Sequence, residues 1–270
     1  MGFCLSIGVG HAQYTLSSGN SSVAINPSSQ TGMDSWIVDG QNQLNQQWFW
    51  YRIGSTGPEA SFDTISTPVI NPINASILQT TYANSIFSAT VLYSLDGGAI
   101  GSGTSDLSEQ ISIQNLTGTT LSFHFFQYAD FNLGGTPNND TGDLTLSRRN
   151  TYGGTVQYNS SCHLSENVDT VVSQPASRGQ FGTGNTILNL LNDGSPTTLN
   201  NNFSASGNVN WALEWDVSIA AGGTLLISKD LNIVGVCPVN PIPEPATWSL
   251  ALFGLISCGL FKRGWRRRMD

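Results

Sequence analysis

Charge is scarce. Only 10% of the 270 residues are Asp, Glu, Lys or Arg, against roughly a quarter in ordinary soluble domains, so hydroxyl and amide side chains must wet the surface. Glu and Lys, which usually clothe helices, are nearly missing, and that excludes a helical bundle in favour of strands and turns. Cations are scarcer still. From Gln13 to Ile242 they are Arg52, Arg148, Arg149, Arg178 and Lys229, while Lys262, Arg263, Arg266, Arg267 and Arg268 crowd the last nine positions. The body of the chain is therefore acidic, within a formal net charge of −8, and an acidic surface disfavours nucleic acid as a partner. Gly-x-Ser-x-Gly, His-Glu-x-x-His and phosphate-loop signatures are absent.

What is present reads as antiparallel β. Phe87, Ala89, Val91, Tyr93 and Leu95 alternate with Ser88, Thr90 and Ser94, and Trp211, Leu213, Trp215, Val217 and Ile219 alternate with Ala212, Glu214, Asp216 and Ser218. Such period-two patterns mark half-buried strands. Asp96-Gly97-Gly98, Thr117-Gly118-Thr119, Asn192-Asp193-Gly194 and Ala221-Gly222-Gly223 supply turn chemistry. Ile111–Leu116 turning into Leu121–Phe126, and Trp211–Ile219 turning into Leu225–Ile233, predict a sandwich of hairpins. Thr186–Leu191 reads as a helical turn or a strand. The fold class is mainly β, one antiparallel β-sandwich over residues 13–236, with a large supersandwich of the sugar-binding kind as the alternative topology.

The longest apolar run lies near the end of the chain. Ala246–Phe261 carries no ionisable side chain except Cys258 and as a helix would span about 24 Å, a short single C-terminal transmembrane helix with Trp248 and Trp265 at its interfaces. The Arg-rich tail, residues 262–270, then stays cytoplasmic and the large domain lies on the other side. Residues 237–245 form a Pro-rich stalk ending in Pro241-Ile242-Pro243-Glu244-Pro245.

This order of Pro-Glu-Pro, short apolar helix and terminal arginine cluster resembles the PEP-CTERM sorting signal of Gram-negative bacteria that make exopolysaccharide. The resemblance covers about residues 241–270. It implies an inner-membrane exosortase that recognises Pro243, Glu244 and Pro245 and removes the helix and tail. The domain would be held transiently in the periplasm and then placed at the cell surface or outside the cell. Ile242 stands where the family often has Val. At the other end, Phe3, Cys4, Leu5, Ile7 and Val9 followed by Gly10-His11-Ala12 read as a truncated signal peptide over residues 1–12.

Export leaves Cys162 and Cys237 as the pair that a periplasm would oxidise to a disulfide. Asp130, Asn132, Asp140 and Asp143 concentrate hard oxygen ligands suited to calcium, without EF-hand spacing. His124 and His163 stand at no zinc-ligand spacing. Glu214 and Asp216 share one strand face about 7 Å apart, as a glycosidase pair would, or simply solvate that face. Trp48 and Trp50 point the same way on a strand and make either a sugar-stacking platform or core. The leading expectation is a non-enzymatic cell-surface or matrix protein, with exopolysaccharide as a partner inferred from the resemblance and no required cofactor. A carbohydrate-binding or adhesive module using calcium, and a secreted glycan-active enzyme, are the alternatives.

Overall fold

The computed structural model describes residues 13–146, 152–168 and 174–235. In chain order its strands are β1 (Tyr14–Ser18), β2 (Ser21–Asn26), β3 (Gly32–Val38), β4 (Gln41–Asn42), β5 (Leu44–Ile53), β6 (Ala60–Ser61), β7 (Val69–Asn74), β8 (Ile77–Ala83) and β9 (Phe87–Gly97). There follow β10 (Ser105–Asn115), β11 (Leu121–Phe131), β12 (Asp140–Leu146), β13 (Tyr152–Tyr158), β14 (Cys162–Asn167), β15 (Arg178–Thr183), the short helix α1 (Thr186–Leu191), β16 (Ser204–Gly207), β17 (Val209–Ile219) and β18 (Thr224–Gly235).

Two nine-stranded sheets face each other. The first runs β1-β2-β3-β5-β11-β17-β15, with β4 on β3 and β6 on β5; the second runs β16-β12-β13-β14-β18-β10-β9-β8-β7. Pairing is antiparallel apart from a short parallel contact of Gly32 and Met33 with Gln47. The mainly β antiparallel sandwich expected from the sequence is what forms. Alternation in β9 is strict, with odd residues Phe87 to Leu95 buried and even ones half-exposed.

The two strand-turn-strand units named above are not hairpins. β10 belongs to the second sheet and β11 to the first, and β17 belongs to the first and β18 to the second. Each turn is a corner that carries the chain across the sandwich. At the second corner Gly222 takes φ +67° and the Gly223 N–H donates to Ala220 O at 2.8 Å, a tight reversal that glycine allows at little cost. Both flanking strands then bury an apolar face against the same core, so periodicity alone cannot tell a hairpin from a corner.

Between the sheets lie stacked aromatic rings. Phe49 and Phe125 stack with centroids 5.6 Å apart, Phe125 meets Trp215 at 5.3 Å, and Tyr51 stacks on Phe123 at 5.9 Å. Gln47 on β5 donates to Glu109 on β10 at 2.8 Å, and Gln127 on β11 donates to Glu166 on β14 at 2.7 Å. These cross-sheet bonds fix which side of β5 and β11 faces inward. The even residues of β11 and β17 therefore point to the outer face of the first sheet.

Part of that outer face is covered. Ile187, Leu191 and Leu199, from α1 and the loop after it, are buried, and Trp50 Nε1 donates to Asn192 Oδ1 at 3.3 Å. Arg52 Nε donates to Glu59 Oε1 at 2.8 Å while its Nη2 donates to Thr197 O at 3.0 Å, pinning the loop to the sheet. Thr186–Leu191 is thus helical.

No helix among the described residues is long and apolar enough to cross a membrane. The expected span at residues 246–261 lies outside the described residues, as do the signal segment 1–12, the stalk and the basic tail.

Candidate functional site

Register on the outer face brings together residues far apart in sequence. Arg52 on β5 pairs with His124 on β11, which pairs with Asp216 on β17. One row along, Trp50 pairs with Phe126, Phe126 with Glu214, and Glu214 with Arg178 on β15. His124, Glu214, Asp216 and Arg178 consequently meet on one patch.

His124 Nδ1 lies 2.5 Å from Asp216 Oδ1 and 4.0 Å from Glu214 Oε1. Arg178 Nε lies 3.5 Å from Asp216 Oδ2. The Asp216 N–H donates to Ser177 Oγ at 2.9 Å, which holds the strand end. With Nδ1 committed to a carboxylate, a neutral imidazole carries its proton there and leaves Nε2 as a base. Nε2 has no hydrogen-bond partner among the described residues.

Glu214 sits behind this pair. Its side chain is 1% exposed, its Oε2 accepts from the Leu199 N–H at 2.8 Å, and its Oε1 has no hydrogen-bond partner. Burial pushes its carboxyl up to about 8; the Leu199 N–H opposes that shift, and neighbouring Asp216 adds to it. Near neutral pH Glu214 is mostly protonated, so the patch does not carry two adjacent anions. Beside it, β17 continues past the end of β15, and its free edge lines a cleft of about 470 Å³ bordered by Gln174, Asp216 to Ala220 and Gly223 to Leu225. That volume falls in the range of small-molecule sites, roughly 300–1,000 Å³.

Ligand atoms of His124, Glu214 and Asp216 all lie within 4.8 Å of one another, a grouping that can hold a metal ion. The Arg178 guanidinium beside Asp216 competes with a cation for that carboxylate, so proton chemistry suits the patch better.

The other residues singled out from the sequence are placed differently. Trp48 and Trp50 are buried, at 1% and 0% exposure, with Trp48 Nε1 donating to Ser61 Oγ at 2.9 Å. Neither indole shows a face to solvent, so they are core, and the sugar-platform reading is corrected. Asp140 is filled by N–H donors: Leu133 N and Gln157 Nε2 on Oδ2 at 3.2 and 2.7 Å, and Asn159 Nδ2 on Oδ1 at 3.0 Å. Asp130 takes Asn45 Nδ2 on Oδ2 at 2.9 Å, while Asp130 Oδ1 and Asn132 Oδ1 are buried without partners. Asp143 stands half-exposed on β12 opposite Val156 and Ser204. Donors packed around Asp140 hold an anion in place and would repel a cation.

Cys162 is disulfide-bonded; Cys237 lies outside the described residues, as do Pro243, Glu244, Pro245, Lys262, Arg263, Arg266, Arg267 and Arg268. His124 has no metal-ligand spacing to its neighbours in the sequence. Its partners stand 90 and 92 positions away, and cross-strand register alone reveals them.

No family model matches the chain, and no curated protein matches it. Solved structures do share the fold. A bacterial glucoamylase complexed with acarbose superposes with a TM-score of 0.59 at 9% identity, covering 85% of this chain and 34% of that one, so this chain spans about a third of that protein. A galactose mutarotase related enzyme from Lactobacillus acidophilus gives 0.54 at 9% identity, covering 83% and 98%. A galactose mutarotase-like protein from Clostridium acetobutylicum gives 0.53 at 6% identity, covering 82% and 94%.

The chain therefore has a β-sandwich fold shared with carbohydrate-related proteins. This corrects the expectation of a non-enzymatic protein, because enzymes named for sugar conversion are built on the same sandwich. Of the two carboxylates read from the sequence as a glycosidase pair or as solvating the outer face, Asp216 pairs with a histidine and Glu214 is buried behind it.

Proposed function

We propose that this chain is a carbohydrate-active β-sandwich that transfers protons at a sugar held on the outer face of its first sheet. His124 Nε2 is the reacting atom. Asp216 fixes the imidazole tautomer and stabilises the imidazolium, and Glu214 lines the floor of the site in its protonated form. The observation that carries this reading is the contact between His124 and Asp216 at the lip of the cleft, backed by buried Glu214.

Likeness to a galactose mutarotase related enzyme supports a sugar as the substrate class. Interconverting anomers requires removal of the C1 hydroxyl proton as the bond from C1 to the ring oxygen breaks. A proton must reach the ring oxygen, and ring closure on the other face of the C1 carbonyl completes the exchange. One imidazole can take the first proton and return it to the ring oxygen, so the balance closes without a co-reactant.

The ending of the chain, with Pro243-Glu244-Pro245 before an apolar run and an arginine cluster, supports delivery of this activity outside the inner membrane by an exosortase. There exopolysaccharide is the available glycan. Polarimetry of freshly dissolved α-D-galactose tests the activity. The full-length chain accelerates the approach to equilibrium rotation, and His124→Asn, which keeps a donor for Asp216 but no base, falls by 100-fold or more. An uncatalysed rate with the unaltered protein, or undiminished activity in His124→Asn, overturns the proposal.

A further inference from the structure

The distribution of cations over the domain is lopsided in three dimensions as well as in sequence. Among the described residues the Lys and Arg side chains are Arg52, Arg178 and Lys229. Lys229 is enclosed between the sheets beside Glu109 and Glu166. Arg52 is 4% exposed and spent on Glu59 and two backbone carbonyls. Arg178 alone of the three reaches solvent, with 40% of its side chain exposed. It stands directly across the strand pair from Glu214, with Nε against Asp216. Its two terminal nitrogens have no hydrogen-bond partner among the described residues.

From this placement we infer that the site at His124 and Asp216 selects sugars bearing an anionic group, which the free fork of Arg178 holds. The inference rests on the proposed carbohydrate function and names its substrate class. Arg178 Nε faces Asp216 Oδ2 at ion-pair distance without a hydrogen bond, and the outer edge of the guanidinium remains able to make two parallel N–H···O bonds, the geometry that carboxylate and phosphate oxygens match. A site made only to balance Asp216 would have no need of an exposed fork. The surrounding surface is acidic and would turn anionic sugars away, so this spot differs from the rest of the described surface in accepting them. With Glu214 protonated by burial, Arg178 and Asp216 cancel, and the incoming anion meets no net repulsion at the patch.

Titration calorimetry of the full-length chain with D-galacturonate, D-galactose 6-phosphate and D-galactose tests the inference, with polarimetry of galactose run alongside. At least one acidic sugar binds tenfold or more tightly than galactose, and comparing the two distinguishes a carboxylate from a phosphate as the recognised group. The ratio of acidic to neutral affinity falls towards one in Arg178→Gln, is partly restored in Arg178→Lys, and shrinks as sodium chloride is raised. Circular dichroism confirms that both variants fold. Equal affinity for all three sugars, or a ratio unchanged in Arg178→Gln, overturns the inference while galactose turnover leaves the function standing. Failure of all three sugars to bind, with no turnover, overturns both.

Discussion

Lys229 Nζ lies 3.3 Å from Glu166 Oε1 between the two sheets, and neither side chain has exposed surface. Glu109 also contacts the same ammonium, and the Phe49 ring lies 5.3 Å beneath it. Burial raises the Glu166 carboxyl while Lys229 pulls it back down. One cation thus holds two carboxylates inside a core otherwise built from aromatic and aliphatic side chains.

Removing that cation strands the carboxylates. Lys229→Met is expected to cost about 3–5 kcal/mol, measured as a lower urea midpoint with an unchanged slope. Adding Glu109→Gln and Glu166→Gln to the same chain recovers most of the loss, because uncharged amides need no counter-ion. A single variant as stable as the parent would show that the ammonium compensates no buried charge.

Stability should fall as pH rises through the neutral range. Glu214 is moved from its ordinary value near 4.5 up to about 8, so the folded state binds a proton that the unfolded chain has released. Its contribution is fully present below pH 4.5 and is lost as pH rises through 8, at a limiting slope of about 1.4 kcal/mol per pH unit. Glu214→Gln flattens this part of the profile, as denaturant melts from pH 4 to 9 will record. An equally steep profile in the variant would assign the slope to other groups.

Trp48 and Trp50 act through packing. Either residue changed to Ala is expected to lose about 3–5 kcal/mol, read as a drop in melting temperature. Acrylamide should quench the emission of the two indoles only weakly in the folded parent, in keeping with exposures of 1% and 0%. Strong quenching of these residues would contradict the closed outer face.

Sorting has its own test. Intact mass and location of the protein are compared in a host with and without its exosortase. Loss of the C-terminal thirty or so residues, together with release from the inner membrane, is expected only when the enzyme is present. A cytosolic chain that retains Asp270 in both hosts would remove the sorting assignment.

Much of the fold is legible in the sequence. Scarce Glu and Lys, glycine-bearing turns, and the strict alternation from Phe87 to Leu95 each encode a strand locally, since side chains one residue apart on an extended backbone face opposite ways. Thr186–Leu191, too short for its apolar spacing to separate a helical turn from a strand, is settled as a helix only by the structure. The corners at Thr117-Gly118-Thr119 and Ala221-Gly222-Gly223 were not legible, because a turn that closes a hairpin and one that crosses to the facing sheet need the same residues.

The site shows the same division more sharply. Alternation placed Glu214 and Asp216 on a common face, and composition marked Arg178 as one of few cations, all by local arithmetic along one strand or one count. Sequence by itself determined those faces and that scarcity. Only the tertiary structure decided that β11 lies between β5 and β17, that β15 ends where the cleft begins, and that the loop around Leu199 covers Glu214 but leaves Asp216 at the surface. Strand neighbours are chosen by how two whole sheets bury their aromatic faces together, and no short window of residues carries that information.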